Sequence, residues 1–293
     1  MGFLRYFPLA VGLLTLISIS AEAAEVTIPD SSLIPSTTLY TNSIGSVVVT
    51  TGGGNAPGTG DPSGRNDDGF RGPIDLGFTL NFFGANYTQF WINNNGNISF
   101  GGGISDYTPS GPTGAPQPII SPFFADVDTR GAASGVVYLS QLPNEDIITW
   151  NGVGYYDSHD DKLDTFQLVL RGPGYSVPAG EGQIGFFYTT MQWEVGDASG
   201  GSGGFCPAGT VGLGCSPAAV GFGDGAGNGE VLASSLQGGI SGILNNEHIW
   251  FDVSSGGVPV PTGPSSVPEP STYALLSVGI LGLYGFAAKR RSK

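Results

Sequence analysis

The sequence predicts an all-β protein, a single β-sandwich-like domain with long glycine-rich loops. Apolar and polar residues alternate with a period of two in several short segments, which is typical of half-buried strands. The chain contains 50 glycines and 21 prolines, and both residue types are poor in helix interiors. Aromatic residues make up 11% of the chain, a proportion that indicates a packed core rather than a disordered polymer.

The N-terminus has the layout of a secretory signal peptide. Arg5 precedes an apolar stretch over residues 7–19, and Ala21-Glu22-Ala23 follows it as a small-residue cleavage site. We expect cleavage after Ala23, so that residues 1–23 are removed and the protein is exported. An N-terminal membrane anchor is the alternative, but it needs a longer apolar run.

Strand patterns recur after this leader. In residues 164–171 the apolar side chains Phe166, Leu168 and Leu170 share one face. Their neighbours Gln167, Val169 and Arg171 share the other, so we expect a half-buried strand. The other segments with strand character are residues 46–51, 78–83 and 183–188.

Residues 90–100 predict a β-hairpin with two competing turns. A two-residue Asn95-Gly96 turn would place Ile92 opposite Ser99. A three-residue loop over residues 94–96 would instead place Ile92 opposite Ile98, with Gly96 at the positive-φ position. The second arrangement keeps the apolar residues together on one face, and the buried face sets the register. We therefore favour the three-residue loop.

Three glycine-rich stretches, residues 52–72, 101–118 and 196–217, are predicted to be long loops. The domain is expected to cover residues 24–253, followed by a linker over residues 254–266. Cys206 and Cys215 lie together in the third stretch. In an exported protein this spacing predicts a disulfide that closes a short surface loop. Metal ligation is disfavoured because both histidines are distant in sequence.

The C-terminus combines a short motif, an apolar run and a basic cluster. The motif is Val267-Pro268-Glu269-Pro270, the run covers residues 273–288, and Lys289-Arg290-Arg291 follows. This arrangement resembles the PEP-CTERM sorting signal of Gram-negative, matrix-producing bacteria. The resemblance implies a transmembrane helix at about residues 272–288 and cleavage near the motif by an exosortase-type enzyme. The mature protein would then keep no transmembrane helix. An ordinary C-terminal anchor is the alternative.

The strongly acidic net charge of the chain limits which molecules it can bind. The chain has 24 acidic and ten Lys or Arg residues, a formal net charge of −14. Five of those ten basic residues lie in the two terminal segments expected to be removed, so the exported domain is still more acidic. Such a field repels nucleic acid phosphates and favours divalent cations. It also keeps a protein soluble, and this is the simpler explanation for most of these acids.

Three stretches resemble the NIDO domain, an extracellular module of nidogen and tectorin-like proteins. They are WINNNGNISF at residues 91–100, ISPFFADVDTR with GVVY at residues 120–138, and MQWEVGDASGG with AVGF at residues 191–222. Their order and spacing are similar to those of the family across about residues 70–253. The resemblance implies a β-rich module associated with cell–matrix adhesion, and it does not imply an enzyme. The animal proteins surround this module with EGF-like and other domains, so only the general role carries over.

Asp126 and Asp128 are the candidate metal ligands. They flank Val127, so in a strand both carboxylates would point to one face with Val127 inward. Oxygen ligands of this kind suit Ca²⁺, and Thr129 and Asp157 are candidates for further ligands. The alternative is structural: Arg130 or Arg71 pairs with one aspartate while backbone N–H groups satisfy the other. A second acidic group, Asp157, Asp160, Asp161 and Asp164, is predicted to be a solvated turn.

Trp193 with Glu194 and Asp197 is the candidate glycan site. Trp193 is a candidate for stacking on a sugar ring, and a carboxylate pair separated by about 5–5.5 Å or about 6.5–9.5 Å would suit glycoside hydrolysis. The alternative is that Trp193 belongs to the core and that the two acids cap a turn. His159 beside acids suggests a hydrolase triad, but no Gly-x-Ser-x-Gly nucleophile elbow accompanies it.

These observations predict a non-enzymatic exported surface or extracellular-matrix protein of a Gram-negative bacterium, with an adhesion or matrix-contact role in a biofilm matrix. Its expected partners are an exosortase-type enzyme, extracellular polysaccharide or surface proteins, and the inner membrane before processing. Nucleic acid is excluded, and the candidate cofactor is Ca²⁺. The alternative is a secreted carbohydrate-active or glycan-binding protein that uses Trp193 and the acids near it.

Overall fold

Two β-sheets packed as a sandwich form the protein in its computed structural model, which describes residues 25–52 and 60–262. Strands account for 45% and helices for 6%, so the predicted all-β sandwich is confirmed. The predicted signal peptide, residues 1–23, lies outside the described residues. So do the sorting motif and the helix expected at about residues 272–288.

The strands range from two to 13 residues, and the helical elements have three to five. Along the described chain the strands are β1 (Glu25–Ile28), β2 (Ile34–Pro35), β3 (Ser46–Val47), β4 (Phe70–Phe82), β5 (Ala85–Asn93), β6 (Asn97–Ser99), β7 (Pro118–Phe124), β8 (Val137–Leu142), β9 (Glu145–Tyr155), β10 (His159–Arg171), β11 (Ile184–Thr190), β12 (Ala219–Asp224), β13 (Gly229–Leu232), β14 (Glu247–Val253) and β15 (Pro259–Pro261). The helical elements are three 3₁₀ turns, Asp30–Ser32, Pro112–Gly114 and Asp197–Ser199, and the helix α1 (Ile240–Leu244). Within residues 25–52 and 60–262, no helix is long and apolar enough to cross a membrane.

The first sheet has the order β1-β13-β12-β7-β6-β5-β4, and the second has the order β15-β14-β11-β10-β9-β8-β3, with β2 also paired to β14. β1 runs parallel to β13, whereas the ladder that joins β7 to β12 in the middle of that sheet is antiparallel. β15 extends the second sheet into the region predicted to be a linker, because Val260 pairs with Asp252. The sheet therefore continues past residue 253.

The hairpin between β5 and β6 has the three-residue loop that the apolar pattern predicts. Ile92 lies opposite Ile98, and both side chains are fully buried. Residues 94–96 form the loop, where Gly96 has a φ of +76°. A residue without a Cβ atom adopts this left-handed conformation without steric cost.

The polar face of this hairpin is buried rather than solvated. Asn93, Asn97 and Ser99 are each 0% exposed. Asn93 Nδ2 donates to Asn97 Oδ1 at 2.7 Å and to Ser99 Oγ at 3.0 Å. The glycine-rich stretch 101–118 covers this face, and the backbone N–H of Ile104 donates to Asn93 Oδ1 at 2.9 Å. The stretch is therefore a packed cover with its own polar partners.

Aromatic side chains from both sheets fill the space between them. Phe123 of β7 packs against Phe166 of β10 with ring centroids 5.3 Å apart. Phe186 of β11 stacks on Phe222 of β12 at 5.3 Å. Buried aromatic rings contribute the largest apolar areas of a core, and one continuous cluster of buried residues joins the two sheets.

The outer face of β10 is also covered, in contrast to the half-buried strand expected. Gln167, Val169 and Arg171 lie on the face opposite Phe166, as the alternation indicates, but they are only 0–1% exposed. The segment before β3 covers them. The N–H of Thr41 donates to Gln167 Oε1 at 3.1 Å, and Gln167 Nε2 donates to the carbonyl of Thr41 at 3.2 Å.

Arg171 is a buried cation whose charge is compensated. Its Nε donates to Glu145 Oε1 at 3.0 Å, and its Nη2 donates to Glu181 Oε2 at 2.6 Å. The guanidinium carbon also lies 4.2 Å from the ring centroid of Trp250. A buried charge is tolerated when it is paired and hydrogen-bonded, which explains how this polar residue occupies a packed layer.

Candidate functional site

Acidic side chains converge at one end of the sandwich, where the loops that follow β5, β7, β9 and β11 meet. Asp67 and Asp68 lie in the turn before β4, and Asp126 and Asp128 follow β7. One carboxylate oxygen from each of Asp67, Asp68 and Asp126 lies within 4.8 Å of the other two. We call these three residues the acidic triad.

The turn that carries Asp67 and Asp68 is fixed against the segment that follows β7. The N–H of Asn66 donates to Thr129 Oγ1 at 2.8 Å, and the N–H of Thr129 donates to the carbonyl of Asn66 at 3.0 Å. Asp68 has a φ of +61°, a conformation that aspartate adopts more readily than most residues. These bonds position the turn independently of its carboxylates.

Val127 orients the second pair of acids. It is fully buried in the core and pairs with Tyr155 in an isolated bridge. The carbonyl of Asp126 accepts from the N–H of Tyr156, and the N–H of Asp128 donates to the carbonyl of Gly154, each at 3.1 Å. The segment is thus held between the two sheets, with Val127 inward as the sequence predicts.

Arg130 neutralises Asp128. Its Nε donates to Asp128 Oδ1 at 2.9 Å and its Nη2 to Asp128 Oδ2 at 2.6 Å. The backbone N–H groups of Arg130 and Ser158 also donate to this carboxylate. Nη2 of Arg130 lies 2.8 Å from Asp67 Oδ2 as well. Asp128 is therefore fully engaged, and this is the structural pairing that the sequence left open.

Asp126 and one oxygen of Asp67 lack such compensation. Oδ1 of Asp126 and Oδ1 of Asp67 are buried, and neither has a hydrogen-bond partner among the described residues. Asp126 is 1% exposed, and the Oγ of Ser199 reaches its Oδ2 only at 3.4 Å. A buried acceptor without a partner costs about 1–3 kcal/mol, and more when it is charged.

The electrostatics follow from this crowding. Burial, with smaller contributions from the charges of Asp68, Asp67 and Asp128, raises the pKa of Asp126 to about 8. Burial and the charges of Asp68 and Asp128 raise the pKa of Asp67 to about 7, against the effect of Arg130. In the absence of a bound cation, the carboxyls of Asp126 and Asp67 thus keep their protons to a higher pH than an ordinary aspartate does.

The triad opens into a small cavity of about 190 Å³. Its lining consists of the three triad residues with Tyr107, Tyr156 and Ala198. This volume lies below the roughly 300 Å³ at which small-molecule sites begin. The site is therefore of a size for an ion with water molecules rather than for an organic substrate.

The structure gives different surroundings to the two aspartates predicted as metal ligands, Asp126 and Asp128. The structure keeps Asp126 in the candidate site but removes Asp128, because Arg130 and two backbone N–H groups occupy its oxygens. Asp67 and Asp68 take its place, and sequence reasoning missed both. The available signal was Asn66-Asp67-Asp68-Gly69, an Asx-type turn inside a stretch that was interpreted only as a glycine-rich loop.

Trp193 lies in the core, so its predicted role in glycan stacking is not possible in this structure. The side chain is 0% exposed, and its ring packs against Phe123 and Tyr155 at centroid distances of 5.6 and 5.4 Å. Its Nε1 donates to the carbonyl of Val153 at 3.0 Å. Both ring faces are covered by protein, which leaves none for a sugar.

Glu194 and Asp197 face different partners. Glu194 is 2% exposed, and its carboxylate accepts from the N–H groups of Gly239 and Ser241 at the start of α1. Asp197 lies at the surface, where its Oδ2 is 3.0 Å from Nε2 of His159. Glu194 thus has a capping role, and the two acids do not form the pair expected for glycoside hydrolysis.

The acids in the first part of β10 also point to separate partners. Asp160 Oδ2 accepts from the N–H of Ala133, and Asp161 Oδ2 pairs with Lys162. Asp164, in contrast, is fully buried and accepts from the N–H groups of Gln192 and Trp193. Asp164 therefore departs from the solvated turn that was predicted for the whole group.

The predicted disulfide joins Cys206 to Cys215. It closes a loop that packs beside the triad, since the N–H of Ser216 donates to the carbonyl of Ser199 at 3.0 Å. Ser199 in turn contacts Asp126. The cross-link therefore stabilises one wall of the candidate site.

The chain is similar to known extracellular proteins. A family model described as NIDO related matches residues 40–228, and the PEP-CTERM protein-sorting motif matches residues 266–291. Alpha-tectorin from Mus musculus is 30% identical over 163 residues, which cover 46% of this chain and 7% of alpha-tectorin. Alpha-tectorin from Homo sapiens is 30% identical over 162 residues, again 46% of this chain and 7% of the relative. Nidogen from Drosophila melanogaster is 27% identical over 123 residues, 33% of this chain and 9% of nidogen.

The chain spans less than a tenth of the length of these curated relatives. No solved structure matches it at a significant level. The sorting motif implies processing by an exosortase-type enzyme, and together with the relatives it suggests an exported surface or matrix protein. The family model covers more than half of the chain and includes the whole acidic triad. Both predicted resemblances are therefore confirmed, and the chain belongs to the NIDO-related family and carries a C-terminal PEP-CTERM sorting motif.

Proposed function

We propose that this protein is a non-enzymatic contact module of the cell surface or biofilm matrix, delivered there by an exosortase-type enzyme. The observation that carries the proposal is the combination of two matches in one chain. The NIDO-related model covers the β-sandwich, and the sorting motif follows it at the C-terminus. The first indicates the type of module, and the second indicates the route. The host is a Gram-negative bacterium, and the inner membrane holds the intermediate before cleavage.

The groove between β3 and β4 is suited to contact rather than to acid–base catalysis. A groove of about 500 Å³ lies between β3 and β4, and its described lining is mostly aliphatic, with Val47, Val48, Val49, Ile74 and Leu139 among its residues. The one ionisable residue of this described lining is Arg71. General acid–base chemistry uses groups whose pKa lies near neutrality, which a guanidinium does not supply.

Composition supports an extracellular partner that tolerates a strongly acidic protein. The net charge of −14 disfavours nucleic acid and anionic lipid surfaces through charge repulsion. A neutral or cation-bridged polysaccharide and a protein surface remain compatible with it. The disulfide agrees with an oxidising compartment outside the cytoplasm.

Processing is tested by the intact mass and the C-terminal peptides of the protein recovered from cells and medium of its native host. We expect a C-terminus near Pro268-Glu269-Pro270, and we expect it to be lost when the exosortase gene is deleted. Glu269→Ala within the motif should block the cleavage, whereas Pro264→Ala outside the motif should not. A protein that still ends at Lys293 in wild-type cells would show that the tail is an ordinary anchor.

The contact role is tested separately with the processed protein and the purified matrix polysaccharide of the same host. We expect co-sedimentation with the polysaccharide, or with surface proteins extracted from the cells, and no increase in reducing ends after long incubation. New reducing ends that disappear in a heat-inactivated control would instead establish a carbohydrate-active enzyme. Because this assay uses protein that is already processed, its outcome does not depend on the sorting mechanism.

A further inference from the structure

We propose that the acidic triad, Asp67, Asp68 and Asp126, is a Ca²⁺ site that joins the loops at one end of the sandwich. The site differs from the Asp126–Asp128 pair suggested by the sequence, because two of its three ligands come from the turn before β4. The inference concerns the described domain alone, so it does not depend on the contact role or on processing of the tail.

The distances satisfy the first requirement of such a site. Calcium binds oxygen ligands at about 2.3–2.6 Å, so two oxygens on one ion can be separated by at most about 5 Å. One oxygen from each triad residue lies within 4.8 Å of the other two. A single ion can therefore contact all three carboxylates with only small side-chain adjustments.

Buried acceptors without partners provide a second, independent indication. Asp126 Oδ1 and Asp67 Oδ1 have no partner within the described part of the chain, although these residues are only 1% and 5% exposed. Asn95, a neutral residue beside the triad, shows the same pattern. Its Nδ2 donates to Asp68 Oδ1 at 2.7 Å, while its Oδ1 is buried without a partner among the described residues. Groups that only accept hydrogen bonds are the ones that a cation satisfies.

When the carboxylates are ionised, the local charge balance favours a cation over a neutral donor. The triad and Asp128 contribute four carboxylates, against the single guanidinium of Arg130. That guanidinium is already committed, because it binds both oxygens of Asp128 and Oδ2 of Asp67. A water molecule would offer hydrogen bonds but would leave the excess negative charge in place. A divalent ion compensates most of it.

The ligand chemistry favours calcium over the other common divalent ions. All candidate ligands are oxygens, whereas structural zinc sites are built from cysteine and histidine. The nearest imidazole, that of His159, is engaged with Asp197. The ligands come from irregular loops and not from a rigid frame, and calcium accepts 6–8 oxygens in variable geometry while magnesium demands a near-ideal octahedron. The cavity of about 190 Å³ leaves space for bound water to complete the shell.

The consequence of binding is mechanical. Asp67 and Asp68 precede β4 of the first sheet, and Asp126 follows β7 of the same sheet. The cavity wall includes Tyr156 from the turn between β9 and β10 of the second sheet. An ion at this position ties all these segments together. We therefore expect the folded domain to be more stable in the presence of calcium. The expected dissociation constant is about 0.1–1 mM, as for weak extracellular calcium modules.

The experiment uses the full chain stripped of metal ions with EDTA and then titrated with CaCl₂ or MgCl₂. Thermal unfolding should shift upward by several degrees at about 1 mM Ca²⁺, and much less with Mg²⁺. Tb³⁺ is a second probe, because Tyr107 and Tyr156 line the cavity and can sensitise its luminescence. Calcium should then displace the Tb³⁺ signal.

Matched variants locate the site. Asp126→Asn and Asp68→Asn should each weaken Ca²⁺ binding by about tenfold or more, since ligand charge sets affinity. Asp252→Asn is the control, an exposed acid on β14, and should leave binding unchanged.

Three results would overturn the proposal. One is the absence of a thermal shift and of sensitised Tb³⁺ luminescence at millimolar ion concentrations. Another is an equal stabilisation by Mg²⁺, which would indicate screening of the acidic surface. The third is an unchanged Ca²⁺ affinity in both Asp126→Asn and Asp68→Asn, with circular dichroism in EDTA verifying that the variants are folded.

Discussion

At the scale of single residues, buried ionisable groups in this protein differ in how their charge is compensated. Arg171 and Asp128 are buried but have charged partners at 2.6–3.0 Å. Glu230 of β13 is 7% exposed, and burial alone raises its pKa from 4.5 to about 7. The first two groups stabilise the fold through pairing, whereas Glu230 makes stability depend on pH.

The Glu230 carboxyl predicts a loss of stability as pH rises. Its folded pKa is higher than its unfolded pKa, so the folded state favours the proton. The cost of burying the ionised Glu230 carboxylate in the folded state is absent below about pH 4.5. It grows up to about pH 7 and is then constant. Glu230→Gln should therefore stabilise the protein more at pH 8 than at pH 4, by about 1–3 kcal/mol at 1.36 kcal/mol per pKa unit.

Urea unfolding of variant and parent at both pH values measures this difference, and the contributions of other titrating groups cancel in the comparison. Asp252→Asn, at an exposed position of β14, is the control and should show no pH-dependent difference. A stabilisation by Glu230→Gln that is the same at pH 4 and pH 8 would contradict the assignment.

At the scale of elements, the loops between strands are packed structures with defined backbone requirements. The hairpin loop at residues 94–96 lies beneath Trp150, whose Nε1 donates to the carbonyl of Asn94 at 3.0 Å. Gly96 approaches the carbonyl of Phe123 so closely that a Cβ atom would overlap it. Gly77 in β4 has a similar φ of +72°, but no heavy atom of the described structure lies within 4 Å of the position of its Cβ.

These two glycines form a matched pair that separates steric contact from backbone preference. Gly77→Ala should cost about 1 kcal/mol, the penalty of a left-handed backbone for a residue with a Cβ atom. Gly96→Ala bears the same penalty and also forces β7 to move, so we expect a total cost of about 3 kcal/mol or more. Chemical denaturation of both variants measures the two costs. Equal losses would mean that the hairpin loop adjusts freely.

At the scale of the whole molecule, the two sheets share one core. The continuous buried cluster includes residues from both, among them Phe90, Phe123, Trp150 and Phe186. Separate unfolding of either sheet would expose the aromatic contacts that join Phe123 to Phe166 and Phe186 to Phe222. Outside this shared cluster, the described residues form only two small buried clusters of four residues each, one on each sheet.

Unfolding of the exported domain should accordingly be a single cooperative transition. Trp150 and Trp193 are both 0% exposed, so their fluorescence reports the loss of the core. Far-UV circular dichroism reports the loss of the strands. The two urea transitions should coincide at a fixed calcium concentration. A fluorescence change at a lower urea concentration than the change in circular dichroism would reveal an intermediate. In that intermediate the core is lost while strands of one sheet remain.

The sequence by itself determined the features that depend on local patterns. Alternation of side chains specified strands such as β10, and the apolar pairing of Ile92 with Ile98 specified the hairpin register. Three short stretches specified the family, and one C-terminal motif specified the sorting signal. The disulfide followed from the spacing of its cysteines and the export signal. In each case the information lies within a few residues of chain, where geometry and chemistry are almost fixed by covalent connection.

Only the tertiary structure decided which residues are covered and which acids meet. Trp193 is in the core, and β10 is buried on both faces, because segments distant in sequence pack on them. Asp126 lies close to Asp67 and Asp68 although more than fifty residues of sequence separate them, while Arg130 forms an ion pair with the neighbouring Asp128. A carboxylate has the same local preferences in either situation. The role of each carboxylate depends on which charges and hydrogen-bond donors lie within a few ångströms of it. Pairing between strands that are distant in sequence determines which groups those are.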